Sequence, residues 1–355
     1  MHMPPPVHGA ALMGKYIHDS HLLSNEFDCR FINLSTAHSL SDVGSFSLRK
    51  FSVILNQCGT ILRTLKQLNP DLVYITPNSH GLIMIKELFL LQRIRRMGIP
   101  IIAHFHNKGV AARQDNLFYD FVYRHFFKNI KLILLSESLY RDVCRYISRE
   151  NVYICANGIP EAENTCKYPK TDIPHVLFLS NLLPDKGIFV LLDAVKILKD
   201  KGLKFVCDII GAETKTIDAT IFANEVSNRD IEDAIKYHGP KYDIEKEMFW
   251  RNASLFVFPS LNECFPLVLL EALQHGIPVI ATDEGGIPDI VEDGKTGCIV
   301  PKCDSEALAE KMEHLLTHPA EAQAMGLAGY KKFQQKFQLE IWEKRLCEIL
   351  AEITK

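Results

Sequence analysis

Short apolar runs alternate along this chain with longer stretches of helical periodicity, and the alternation comes in two series. Parallel strands cannot be joined by a tight hairpin, so each needs a crossover, usually a helix. The pattern therefore predicts parallel sheets covered by helices on both faces. In the first series, strands are expected at 71–76, 99–105, 131–135 and 152–155, with helices at 82–97, 116–128 and 138–148. Arg93, Arg95 and Arg96 give the first of these helices a basic end, and Gly98 can cap it. Residues 160–174 break the rhythm with Pro160, Pro169 and Pro174, which marks a linker. The second series predicts strands at 175–180, 204–210, 254–258 and 278–281. Its helices are expected at 188–200, 218–235, 243–251 and 266–275, followed by helices at 304–317, 319–332 and 338–353.

Length agrees with two domains, because 355 residues exceed the roughly 250–300 at which a single core stops growing. The boundaries read as a first domain over 1–160, a linker over 161–174, a second domain over 175–336 and a terminal helix over 337–355. A net charge of −3, from 40 basic and 43 acidic residues, argues against a nucleic-acid binder. The ten cysteines form no CxxC pair, which disfavours a structural zinc site and a disulfide framework. No run is long and apolar enough for a membrane-spanning helix, and the start lacks a signal-peptide core. Reduced thiols and a cytoplasmic location follow as expectations. Only three residues precede Pro4-Pro5-Pro6, so a first strand there would be very short or missing from this chain.

The chemistry-bearing residues collect where predicted strands end. Glu263 follows the strand at 254–258, and Glu271 lies eight residues on, inside the next helix. Carboxylates there can accept hydrogen bonds from sugar or ribose hydroxyls beside free helical N–H groups. A solvated loop Glu and an ordinary helix Glu would have the same spacing, but the apolar flanks of Glu271 require a partner for it. Gly285-Gly286 follows the strand at 278–281 and would let backbone N–H groups approach a ligand; a plain tight turn reads alike. Asn181 and Lys186 lie in the loop Ser180 to Gly187 before a helix, where a lysine can neutralise a diphosphate. His104 and His106 close a strand and share one of its faces, as ligand contacts or as packed histidines. They lack a third metal ligand. Neither a Walker loop nor a dinucleotide fingerprint is present.

Taken in order, these motifs resemble the retaining glycosyltransferases of family 4. They are Pro4 to Gly9, Asn157-Gly158-Ile159, Ser180 to Gly187, Glu263 to Glu271, Gly285 to Asp289 and Val291 to Gly297. The resemblance implies a GT-B fold, with two Rossmann-like domains whose parallel sheets face each other across a cleft. It implies an acceptor-side first domain, a donor-binding second domain, and a terminal helix packed back on the first. In the family's pattern Glu263 contacts hydroxyls of the donor sugar, Glu271 holds the ribose and Lys186 sits on the diphosphate. Asn181, Phe265, Pro266, Leu267 and the backbone of Gly285, Gly286 and Ile287 line the donor. Gly9 approaches the distal phosphate, which His8 can also reach, and one histidine of the pair His104 and His106, with His106 the better placed, lies near the anomeric carbon. Two departures stand out. Ser180-Asn181 replaces the usual Gly-Arg, which removes a bidentate phosphate contact. Pro266 replaces a glycine, at what reads as a first helical position.

The implied reaction moves a sugar from a UDP- or GDP-linked donor to a hydroxyl of a glycan or lipid-linked glycan, with retention and without metal or other cofactor. Polysaccharide or lipopolysaccharide assembly is the implied setting. Aromatic and basic residues interleave over 119–131, which suggests peripheral contact with the inner face of a membrane; the same apolar residues would also pack on the sheet. Two other readings remain. One is a non-catalytic or impaired nucleotide-sugar-binding protein, favoured by Asn181. The other is a nucleotide-sugar epimerase, disfavoured by the Glu263–Glu271 spacing.

Overall fold

A computed structural model of the protein describes residue 3 and residues 9–33, 48–79, 81–162 and 172–354. The chain divides into two compact units, Met1–Asn157 with Glu340–Lys355, and Gly158–Leu339.

Unit 1 begins with three helices, α1 (Gly9–Asp19), α2 (His21–Glu26) and α3 (Leu48–Leu68). Ser20 caps α2 by accepting the Leu23 N–H at 3.2 Å. An alternating series follows: β1 (Val73–Ile75), α4 (Leu82–Arg96), β2 (Ile101–His104), α5 (Leu117–Phe126), β3 (Lys131–Leu134), α6 (Tyr140–Val143) and β4 (Val152–Ile154). The strands pair in parallel in the order β1-β2-β3-β4. All four residues of β2 are buried, as a strand covered on both faces should be. The Arg95 guanidinium donates to the carbonyls of His125 and Phe126 at 2.9 and 2.6 Å. It thereby satisfies orphan acceptors at the end of α5.

Unit 2 runs β5 (His175–Leu179), α7 (Ile188–Asp200), β6 (Val206–Ile210), α8 (Ala219–Ser227), β7 (Ile235–Tyr237) and α9 (Asp243–Asn252). It continues with β8 (Leu255–Phe258), α10 (Leu267–Gln274), β9 (Val279–Thr282), α11 (Ile287–Ile290), β10 (Gly297–Val300), α12 (Ser305–Thr317) and α13 (Pro319–Lys336). Its six strands lie in the order β10-β9-β8-β5-β6-β7, all parallel. That is the doubly wound order. One face of the sheet, with Val176, Phe178, Cys207, Ile209, Val257 and Ile280, forms a core with apolar residues of α7 and α12. The final helix, α14 (Leu339–Thr354), buries Trp342, Leu346 and Ile349; from Glu340 onward it belongs to unit 1.

Three local expectations are corrected. The helix at 138–148 shrinks to the single turn of α6, whose Asp142 carboxylate accepts the N–H groups of Gly109, Val110 and Ala111 at 2.9–3.1 Å. The helix at 218–235 ends at Ser227; Asp230 takes φ +53°, and 235–237 become the edge strand β7. Pro266 is the N-cap of α10, with extended backbone, and Leu267 is the first helical residue. Strand β10 adds to the expected set; its four residues begin with a glycine and lack a flanking signal of their own. The Pro4–Val7 turn and residues 163–171 of the linker lie outside the described residues.

Candidate functional site

The strand order of unit 2 decides which loops meet. From β5 the chain fills the sheet toward β6 and β7 and then returns past β5 to β8. A doubly wound sheet opens a crevice beyond the carboxyl ends of its strands at this reversal. The loops after β5 and β8 therefore sit side by side. Leu261 N–H donates to the Asp185 carbonyl at 2.8 Å, and Ser260 Oγ donates to it at 3.1 Å. Gly187 takes φ +74°, and a Cβ there would lie 1.9 Å from the Pro259 carbonyl oxygen, so only glycine lets the two loops close.

The loop after β9 grips the same neighbour. Gly285, at φ +55°, packs so tightly on the Glu263 carbonyl that a Cβ would lie 2.2 Å from its oxygen. Gly286 N–H donates to the Cys264 carbonyl at 2.7 Å, and Thr282 Oγ1 donates to the Ser260 carbonyl at 2.5 Å. The glycine pair thus holds the Glu263 loop, in addition to whatever N–H groups it offers a ligand.

Three lysine–glutamate pairs line these loops. Lys186 Nζ pairs with Glu263 Oε1, and Ser260 Oγ donates to the same oxygen at 3.3 Å. Lys186 closes a single turn of 3-10 helix, Pro184–Lys186, immediately before the start of α7. Glu271, on α10, holds Lys246 of α9 with both oxygens at 2.9 Å. Glu284, buried to 4% exposure, takes Lys302 Nζ at 2.7 Å. Lys186 and Lys246 stay partly open, at 25% and 29% side-chain exposure. Both lysines can therefore be reached, and a ligand offering phosphate to the lysine and hydroxyls to the glutamate can replace either partner. Beneath Glu271, His275 is nearly buried: its Nδ1 bonds the Glu271 carbonyl at 2.7 Å and its Nε2 lies 3.0 Å from both Glu247 oxygens. Trp250 stacks on it at 5.5 Å.

The other expected residues fall as follows. Asn181 is exposed, and its Oδ1 accepts the Ala212 N–H at 3.2 Å, which ties the loops after β5 and β6. Phe265 is buried edge-on to Phe337, Pro266 and Ile287 are buried, and Leu267 is half-buried. In unit 1, Gly9 is the exposed first residue of α1, and His8 lies outside the described residues. His104 is fully buried at the end of β2, with Nδ1 2.6 Å from Tyr74 Oη. Burial, and then His106 beside it, push its pKa well below the usual histidine range, so it is a neutral ring. His106, half-buried, lies 4.2 Å from it, ring to ring.

Residues 163–332 match the family described as glycosyl transferases group 1. This overturns the resemblance to family 4: the matched family is group 1. Among curated proteins, the amylovoran biosynthesis glycosyltransferase AmsK of Erwinia amylovora is 31% identical over 189 residues, covering 50% of this chain and 44% of AmsK. The chain spans about half to two thirds of the length of the curated relatives it matches. Among solved structures, sucrose-phosphate synthase from Thermosynechococcus elongatus superposes with a TM-score of 0.73 at 20% identity, covering 92% of this chain and 83% of that one. HepE from Anabaena, in complex with UDP, gives a TM-score of 0.70 at 17% identity, covering 84% and 82%. At these identities the likeness establishes the fold, and the fold is GT-B, with a Rossmann-like parallel sheet in each unit.

Sequence reasoning missed Lys246, Lys302, Ser260 and Glu284 as members of the site. Glu284 stood in view, directly before Gly285, whereas the two lysines lie in charged stretches that read as solvated surface. Among the described residues no group of three or more His, Cys, Asp or Glu could hold a metal ion, and no helix is long and apolar enough to cross a membrane.

Proposed function

We propose that this protein is a glycosyltransferase that moves a sugar from a nucleotide diphosphate sugar to a hydroxyl of a glycan or lipid-linked glycan. The observation that carries the proposal is the Lys186–Glu263 pair at the reversal of the unit 2 sheet, with Glu271 on the helix that follows. In this reading the donor's diphosphate takes Lys186 and the N–H groups at the start of α7, and it frees Glu263 for the sugar hydroxyls. Glu271 exchanges Lys246 for the ribose hydroxyls. Asn181 adds a neutral contact, and the backbone from Phe265 to Leu267 and from Gly285 to Ile287 shapes the donor's seat. The donor is UDP- or GDP-linked in this reading; HepE, which shares the fold, holds UDP, and this supports the UDP-linked class. The polysaccharide-biosynthesis names of AmsK and of the capsular glycosyltransferase CapM from Staphylococcus aureus support a glycan acceptor.

Retention and independence of metal belong to the same proposal. A double displacement needs two opposed carboxylates about 5–5.5 Å apart. In this reading Glu263 is taken by sugar hydroxyls and Glu271 by the ribose, which leaves neither as the nucleophile and favours a front-face route in which the departing phosphate takes the acceptor's proton. Lys186 and the α7 terminus stabilise charge on that phosphate. His106 and Gly9 are the unit 1 residues assigned to the transferred sugar and its phosphate.

The deciding experiment is thermal unfolding with UDP-, GDP-, ADP- and CMP-sugars, with and without Mg²⁺. A donor at a hundred times its Kd stabilises the native state by roughly 2.7 kcal/mol. One nucleotide class should raise the Tm without Mg²⁺, and Glu271→Ala should abolish the rise. No shift with any of them rejects the donor reading. Tight binding with no transfer would favour a nucleotide-sugar-binding protein, the reading that Asn181 favours. For a peripheral location at the cytoplasmic face, the supporting observation is the exposure of Phe89, with Arg93 over its ring at 4.8 Å, and of Leu117, Phe118 and Phe121 on α5. Flotation with anionic but not neutral liposomes is the expected result.

A further inference from the structure

Glu284 has no direct task in the proposed chemistry, yet it is among the most deeply buried charged residues of unit 2. A buried carboxylate is costly unless its oxygens are engaged. One oxygen, Oε2, is held by the Lys302 ammonium at 2.7 Å, from the segment after β10. The other, Oε1, faces the backbone N–H of Glu263 at 3.5 Å, the outer limit of a hydrogen bond. The next two residues grip the same loop: Gly285 lies against the Glu263 carbonyl, and Gly286 N–H bonds the Cys264 carbonyl. Three consecutive residues after β9 therefore hold both sides of the Glu263 peptide backbone. The Glu263 side chain is held from elsewhere, by Lys186 and Ser260. A ligand that draws Lys186 away removes the main restraint on that side chain and leaves the backbone grip to aim it.

We infer that Glu284, anchored by Lys302, is a positioning residue that fixes the backbone of Glu263 so that its carboxylate meets the transferred sugar. The inference rests on the donor role proposed for Glu263. It adds that the backbone of Glu263 is held from the segments after β9 and β10, while Ser260 of its own loop meets only the side chain. Lys302 is 44% exposed on its side chain and can turn to water, so removing the Glu284 carboxylate relaxes the anchor without leaving a buried charge unpaired.

Two measurements test this, and only one needs turnover. The first is hydrogen exchange of the 259–266 segment in wild type, Glu284→Ala and Glu284→Gln. Exchange should quicken in Glu284→Ala over this segment, with β5 and β6 unchanged. Glu284→Gln, whose amide oxygen can still accept the Glu263 N–H, should restore most of the protection. Unchanged exchange in Glu284→Ala overturns the inference whether or not the protein transfers sugar. The second is kinetics of the active enzyme. Glu284→Ala should lower kcat about 10- to 100-fold, the scale of a catalytic group displaced by about an ångström, with donor KM changed far less. In a Glu263→Ala background the same substitution should have no further effect on kcat, because its influence passes through Glu263. Additive losses would overturn the positioning role. Wild type that transfers no sugar with any donor, while the exchange result holds, would defeat the donor reading and leave the backbone anchor standing.

Discussion

At the scale of single residues, charge placement separates chemistry from packing. Lys186 is the cation that the proposed reaction leans on, and no arginine stands at position 181 to share its load. Lys186→Ala is expected to lower the transfer rate roughly a hundredfold, as removal of a charge-stabilising donor does elsewhere; steady-state transfer assays check it, and an unchanged rate would remove the lysine from the mechanism. Glu87 of α4 is a different case. Burial raises its carboxyl from 4.5 to about 7, although the Asn78 N–H donates to it at 3.1 Å. A folded pKa above the unfolded one means that the stabilising contribution is complete below pH 4.5 and is lost as pH rises through 7. The loss amounts to about 3 kcal/mol, since a tenfold change in proton affinity is worth roughly 1.4 kcal/mol. Glu87→Gln should therefore melt above wild type at pH 8 and level with it near pH 4; Tm measured across that range decides it. The sequence showed Glu263 and Lys186 through their places in loops after strands, and Glu271 through its place on the helix that follows Glu263. It could not show Glu87, which reads as an ordinary helix acid until its burial is known.

At the scale of elements, local periodicity predicted the strands of unit 1 and most strands and helices of unit 2, because each buries a face whose spacing is written into the chain, while α1, α2 and α3 were not read from it. The departures come where contacts outside the element, which local spacing does not encode, decide the conformation. The region at 138–148 has helical spacing, but Asp142 spends its carboxylate on three N–H groups thirty-odd residues away. Those groups open the 3-10 turn Ala111–Arg113, which precedes α5. Asp142→Ala leaves all three N–H groups without their acceptor. It is expected to lower unfolding free energy by about 1–3 kcal/mol, read from denaturant melts, and to speed hydrogen exchange at 109–111. Unaltered exchange there would mean that the turn stands without the carboxylate. The edge strand β7 is a similar case. Residues 228–237 continue a helical rhythm, yet the chain turns at Asp230 and pairs with β6.

At the scale of the whole molecule, the last sixteen residues return to the first unit after the second is complete. Trp342, Leu346 and Ile349 of α14 are buried there, and Tyr153 Oη reaches Glu352 at 3.1 Å. Each such apolar side chain contributes about 1.5–3 kcal/mol, against a typical total of about 5–15 kcal/mol for a domain. A chain ending at Gln338 should lose the stability of unit 1 first. Limited proteolysis is expected to cut within 9–157 while 172–338 stays protected; simultaneous loss of both would show that the helix matters to the molecule as one body. By itself the sequence determined the two α/β series, the loop positions of Glu263, Lys186 and Gly285 after strands, the place of Glu271 on the following helix, and the helical face of Trp342 and Leu346. These are set by local spacing and by the conformations that glycine and proline allow. Only the tertiary structure decided that Lys186 meets Glu263 across 77 positions, Lys246 meets Glu271 across 25, and Lys302 reaches back 18 to Glu284. The reason is that the order of strands in a sheet, which chooses the loops that touch, leaves no mark on the periodicity of any one strand.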